Sequence, residues 1–392
     1  MVAGLGERVH AARPRVVAAL AAQFRDLDAA ETGFDGAVEA LLASGTTPDN
    51  VAAWRFVSGR RKVLDARRKA AREARAVEEA AMMQSDADVL RFPDAIPDER
   101  LGLLFICCHP AIALEARVML TLRIVLGVEV EAIATGFAMK PDAVRQRITR
   151  AKAKIGAAGV PFELPHRRFW GERVEGIAMA LEQAFVAAYR EGARAALAAE
   201  TERLALLLVE LLPGEGEVVA LAAMILLARS RETARAGGIA LSEQDASLWD
   251  RQRIETARGL LDREGVGAPG RYRLLALVHL THARRAYGAA IDWAAIRTLY
   301  DALVVIDPSP GVAIARAVAI GRTGDAAGGL AALPDDSGGD AAWHAARADL
   351  LERAGHGGAA AEWDRALELA KGEGPRALIA ARRARLSRAS GS

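Results

Sequence analysis

Cysteine is almost missing from this 392-residue chain, where Cys107 and Cys108 are the only two and stand side by side. Adjacent residues rarely meet disulfide geometry, so no disulfide framework is expected, which suits a reducing cytoplasm. Aromatic residues are few, and alternating runs of valine and isoleucine are scarce. That removes the vocabulary of β-sheets and leaves an all-α fold as the expectation. Long apolar runs are missing too. Leu204–Leu212 and Val218–Ala228 are too short to span a bilayer. The opening MVAGLGERVHAARPRVV lacks a signal peptide's charged head, apolar run and cleavage site, so a cytoplasmic protein without membrane contact is expected. No glycine-rich phosphate loop, paired catalytic carboxylates or nucleophile motif stands out, so neither enzymatic activity nor a cofactor is expected. Cys107-Cys108-His109 has no second cysteine pair to complete a zinc site and reads as small buried residues before a helix. His279 and His282, one helical turn apart with no carboxylate cluster, read as ordinary helix residues.

What is present is alanine, leucine and unevenly placed charge. The net charge is only +2, but it is concentrated. Between Trp54 and Arg75 nine bases face two acids, and between Lys140 and Lys154 six bases face Asp142 alone, so the remainder is acidic. Two basic islands suit contact with a polyanion at two places, although solvated helix faces would read the same way. The second island lies in a segment that reads as two helices and a turn. The first helix spans roughly Glu129 to Thr135, with Gly136 expected to stop it in the left-handed conformation. The second opens at Lys140-Pro141-Asp142, with proline at the first helical position. Val144, Ile148, Ala151 and Ile155 recur at helical spacing as a buried stripe, leaving Arg145, Gln146, Thr149, Arg150, Lys152 and Lys154 largely on other faces. That is the layout of a DNA-reading helix-turn-helix, and equally of a short packing motif with bases outward.

At this length two or three domains are expected. The first helical region, 1–82, is interrupted at Asp26, Asp28 and Gly33–Gly36, and by the loop Ser44 to Asn50, whose Pro48-Asp49-Asn50 can cap a helix from Val51. Residues 83–100, with Pro93 and Pro97, form a polar linker; 101–160 hold the helix-turn-helix; Pro161 and Pro165 mark a boundary. From 165 to 392 helical patterning continues, with turns at Pro213-Gly214, Gly237-Gly238, Gly265–Gly270 and Asp307-Pro308. Ala317 and Gly324 match Ala348 and Gly355, which suggests tetratricopeptide-like helix pairs or an irregular helical bundle. Trp249, Trp293, Trp343 and Trp363 could anchor a peptide, yet such tryptophans usually pack between helices.

Read together, the islands resemble a family. Ala53-Trp54 followed by Arg60-Arg61-Lys62-Val63-Leu64-Asp65 is similar to the sigma factor region 2 helix that meets the promoter −10 element, and Asp28-Ala29-Ala30-Glu31 to the start of the helix beside it. Leu101 to Pro110, with Glu115-Ala116-Arg117, resembles the opening of region 4, most specifically over Leu103–Pro110. The whole is similar to extracytoplasmic-function sigma factors (sigma-70 family, sigma-24-like) of the subgroup with a long C-terminal helical-repeat extension, and the likeness reaches Tyr300–Leu303 and Asp307–Pro310.

The resemblance implies core RNA polymerase and promoter DNA as partners, with polymerase met through Glu31 and Asp35 and the melted −10 strand through Trp54, Arg60, Arg61, Lys62, Arg67 and Arg68. Arg145, Gln146 and Arg150 would reach −35 base edges, while Lys152 and Lys154 meet phosphates. Family members usually carry further acids where this chain has Thr32 and Gly36. The extension would mask the DNA-binding parts or help assemble the promoter complex, by way of a protein or peptide ligand. Two other readings stand beside this one: a degenerate sigma-like helical-repeat scaffold without promoter activity, and a helix-turn-helix regulator independent of polymerase.

Overall fold

The computed structural model describes residues 2–44, 48–75, 99–137, 139–162, 166, 170–190, 195–235, 239, 241–263, 269–335, 338–370 and 373–389. Among them are helices and helical turns and no strand, so the fold is all-α as expected. Most of the linker 83–100, residues 45–47, Pro165, Gly237-Gly238 and much of Gly265–Gly270 lie outside the described residues. The chain divides into two compact units, Met1–Ala184 and Phe185–Ser392. No helix among the described residues is long and apolar enough to cross a membrane.

The first unit opens with α1 (Val2–Phe24), α2 (Leu27–Ser44) and α3 (Val51–Arg75). After α1 the chain turns through Arg25, whose φ of 53° is left-handed. Asp26 then caps α2, its Oδ1 accepting the Ala29 amide at 3.0 Å, and Asn50 caps α3 by accepting from Ala53 at 2.9 Å. The cap at Asn50 starts α3 at Val51, where the sequence places it. The interruption expected at Gly33–Gly36 does not occur, because α2 runs straight through both glycines. Gly33 faces Gly59 of α3, and a Cβ at Gly33 would lie 2.7 Å from Val63 Cγ2 and 2.9 Å from the Gly59 carbonyl oxygen. The glycines weaken helix propensity, but the close crossing of α2 on α3 needs at least one of them.

Next come α4 (Arg100–Cys107), α5 (Leu114–Thr121), a π-helical turn (Leu122–Leu126), α6 (Val130–Gly136) and α7 (Pro141–Ala157). Every residue of α4 from Leu101 to Cys107 is buried, and α4 and the π-turn both pack on α1. The described parts of 1–82 and 101–160 therefore lie side by side in one unit. Arg117 closes the α4–α5 loop by donating to the carbonyls of Ile112 and Pro110, and the first part of α8 (Trp170–Arg190) sets Trp170 against Phe105. Cys107 and Cys108 are fully buried; Cys108 lies 3.4 Å from the Thr121 hydroxyl, and burial pushes its thiol up to about 11.

The second unit contains α9 (Ala195–Leu211), α10 (Gly216–Arg229), α11 (Glu232–Arg235), α12 (Arg251–Leu261), α13 (Arg271–Ala283), α14 (Trp293–Ile306), α15 (Pro310–Arg322), α16 (Ala326–Ala331), α17 (Ala341–Ala354), α18 (Ala359–Leu369) and α19 (Glu373–Ala389). The apolar run from Val218 forms α10, buried all round against α9, α12 and α13. From α13 onward each helix packs on its neighbour in sequence, and α15/α16 and α17/α18 form two helix pairs. Their matched residues occupy matched places, since Ala317 and Ala348 are both fully buried and Gly324 and Gly355 both make left-handed turns. Trp249 and Trp363 are buried, the Trp343 indole N–H donates to the Pro334 carbonyl, and Trp293 packs on His282, so the tryptophans serve the helix contacts. The buried Arg231 guanidinium donates to the His279 Nδ1 at 3.0 Å.

Gly33→Ala should destabilise the protein by about 1–3 kcal/mol through overpacking. Gly36→Ala, which meets only the Lys62 side chain at ordinary distance, should stabilise it by up to about 1 kcal/mol. Thermal melts followed by circular dichroism check the pair; equal shifts would contradict the close crossing.

Candidate nucleic-acid interface

The helix-turn-helix forms from the residues that announce it. Lys140 is the N-cap of α7, Pro141 its first residue, and Asp142 lies in its first turn near the positive helix end. Val144, Ile148, Ala151 and Ile155 are the buried residues of α7, the stripe that the spacing gives. α6 ends at Gly136, one residue past the expected Thr135, and the Met139 amide reaches back to the Ala134 carbonyl at 2.8 Å.

The predicted base-reading and phosphate-binding residues divide into two groups. Gln146, Arg150 and Lys154 are exposed. Arg145 is half exposed and ion-paired to Asp142 at 2.7 Å and to Glu131. Such exposed pairs are worth under about 1 kcal/mol, so Arg145 can exchange them for another acceptor. Thr149 is exposed at the rim of a cleft. Lys152 is not on the open face at all. Its side chain is only 14% exposed, and its ammonium donates to Asp28 at 2.6 Å and Glu31 at 2.9 Å.

On α3, Arg61, Lys62, Arg67 and Arg68 are exposed, while Trp54 and Arg60 are half-buried. Arg67 also donates to the Phe24 carbonyl at 3.1 Å, and Arg68 lies 3.7 Å from Asp65. Arg55, a member of the same basic island, turns inward. It is fully buried over the Phe34 ring, and burial with nearby Arg13 pushes its guanidinium down to about 10. It stays charged at neutral pH but is unavailable to DNA.

The residues expected to meet polymerase are engaged inside the unit. Asp28, Glu31, Thr32 and Asp35 recur at helical spacing on one face of α2 and line a cleft of about 330 Å³. Arg123, Val130, Arg145, Ile148, Thr149 and Lys152 line it opposite. Glu31, itself 12% exposed, gathers Arg123 at 2.6 Å, Lys152 at 2.9 Å and Arg13 at 3.6 Å. Arg13 also donates to Asp35 at 3.0 Å. Burial works against the charges of Lys152 and Arg123, but the carboxylates outweigh it and hold both above their ordinary ranges. A base held up in this way stabilises the fold at all pH values below its ordinary pKa. The stabilisation is lost only as pH rises through the folded value, far above neutrality.

Sequence reading missed Arg13 and Arg123 as partners of Glu31. The signal for Arg13 is its place one helical step before the buried Val16, Val17 and Leu20; for Arg123 it is an apolar run from Leu120 to Leu126. A charge on a buried stripe requires a partner. Gly127 completes the geometry: its φ is 73°, and a side chain there would collide with Arg13.

The chain is 36% identical over 390 residues to an uncharacterized protein of Rhizobium meliloti (strain 1021), a match covering 94% of this chain and 92% of the relative. Residues 173–265 match a family of unknown function (DUF6596). No solved structure matches the chain.

Glu31→Gln should cost the first unit about 3 kcal/mol, because it leaves buried cations short of a partner. Asp142→Ala, at an exposed pair, should cost under about 0.5 kcal/mol. Hydrogen exchange of α2 and α7 amides reads both changes, and equal protection in the two variants would remove Glu31 from its central place.

Proposed function

The chain belongs to one family with the Rhizobium meliloti protein, and we propose that it is a DNA-binding transcription initiation factor of the sigma type, with its C-terminal helices as a regulatory and interaction domain. The observation that carries this reading is α7: a helix after a tight turn, anchored by Val144, Ile148, Ala151 and Ile155, that exposes Gln146, Thr149, Arg150 and Lys154 together. A recognition helix needs that division between a buried stripe and exposed groups able to reach base edges and phosphates. The exposed bases of α3 supply a second polyanion-binding surface within the same unit, as a factor gripping a promoter at two places requires. The polymerase half rests on the resemblance of Asp28–Glu31 and of the α3 sequence to region 2.

One observation favours a second reading, a helix-turn-helix regulator independent of polymerase. Glu31 and Asp35 are already neutralised by Arg13, Arg123 and Lys152. Co-purification with core RNA polymerase decides between the two: the sigma reading requires a stable complex, and no binding at any concentration would leave the regulator.

On the DNA side, Arg145→Ala should relax preference at one −35 base pair by about 1–3 kcal/mol, whereas Lys154→Ala should weaken all sites alike and reduce the salt slope by about 1. Binding titrations across promoter variants and salt concentrations measure both, and equal losses at every site would contradict the assigned roles.

A further inference from the structure

Three features of the cleft between α2 and α7 bear on how this protein would be controlled. First, the residues on its two sides belong to the two surfaces expected to meet external partners, Glu31 and Asp35 on one side and Arg145, Thr149 and Lys152 on the other. Second, the contacts consume those groups: two of the three donors of the Lys152 ammonium go to Asp28 and Glu31, and both Lys152 and Glu31 are mostly buried. Third, the two helices meet across an open cleft through charged side chains, with Val130 and Ile148 as the apolar residues among those described that line it. A contact of that composition can be parted by a competing polyanion, whereas a close-packed apolar seam cannot.

We propose that this cleft is a charge latch, in which Asp28 and Glu31, with Asp35 beside them in the cleft lining, occupy the cationic flank of α7 where DNA phosphates would bind, so that the closed chain withholds both its DNA-reading and its polymerase-binding surfaces. The inference rests on the sigma reading for its partners, but not for the contacts. Carboxylates at helical spacing on α2 present acceptor oxygens to Lys152 and Arg123, much as a phosphate row would. With two of its donors on Asp28 and Glu31 and its side chain only 14% exposed, Lys152 is withheld from a phosphate, and Glu31, 12% exposed and ringed by its own cations, is withheld from a polymerase cation. DNA binding and polymerase binding therefore draw on the same opening, and each should promote the other.

Asp28 is the residue on which to test this, because it is exposed and lies outside the residues assigned to polymerase or DNA. Asp28→Arg places like charges across the cleft without emptying a buried site. Glu39→Arg, also on α2 and exposed, makes the same charge change away from the cleft. Spin labels at Glu39→Cys and Ala153→Cys, both exposed, report the α2–α7 distance, since Cys107 and Cys108 are buried and unreactive. The labels are placed in the full chain and, separately, in its Asp28→Arg variant.

The latch requires a short distance in the parent chain and a longer, broader one with Asp28→Arg. Affinity for promoter DNA and for core polymerase should rise about tenfold with Asp28→Arg and stay unchanged with Glu39→Arg. Adding Lys152→Glu to Asp28→Arg should restore the short distance. An unchanged distance, or an opened chain that binds DNA and polymerase no more tightly than the parent, overturns the latch while leaving the sigma reading intact. An opened chain that binds neither partner overturns the sigma reading, and the latch as a control device with it.

Discussion

The Glu31 carboxylate holds together three stretches of chain that are far apart in sequence. It sits on α2 and draws in Arg13 from α1, Arg123 from the π-turn and Lys152 from α7. A carboxylate so little exposed is stable only in the company of cations, and cations so little exposed need it in return. Apolar packing of α4 and the π-turn on α1 brings the segments together, but packing alone is tolerant of small slips. The ion cluster is directional. It fixes which face of α7 looks at α2 and therefore which bases remain for solvent.

That constraint explains how one unit can present two kinds of surface. Gln146, Arg150 and Lys154 are left on the outer side of α7, and Arg61, Lys62, Arg67 and Arg68 on α3, while Lys152 and Arg55 are drawn inside. Charge counted along the sequence overstates the basic area available, because Lys152 and Arg55 are taken up by buried groups within the unit and Arg67, Arg68, Arg145 and Arg147 also have acidic or aromatic partners there. In the second unit the same economy of small residues and glycine turns builds successive helix pairs, with Ala317 and Ala348 at equivalent buried places.

Much of this was legible in the sequence. The buried stripe of α7, the proline at its start, the cap at Asn50, the all-α class and the paired alanines and glycines of the repeats all follow from local rules that act over a few residues. Gly33 was misleading for a physical reason: propensity penalises glycine in a helix, while the crossing of α2 on Gly59 requires its smallness, and tertiary contact outweighed propensity; Gly36, beside only the Lys62 side chain, has no such contact. The pairing of Lys152 with Asp28 and Glu31 spans more than 120 residues, and no periodicity carries such a distance. Arg13 and Arg123 on apolar stripes indicated that buried acids exist without indicating which.

The central claim is that this unit delivers polymerase to promoters. Run-off transcription with purified core RNA polymerase on the DNA upstream of the protein's own coding sequence tests it most directly. The account predicts a discrete transcript that depends on the added protein and disappears when the −35 or −10 element is replaced. Tight binding to the same DNA with no transcript under any condition would contradict it.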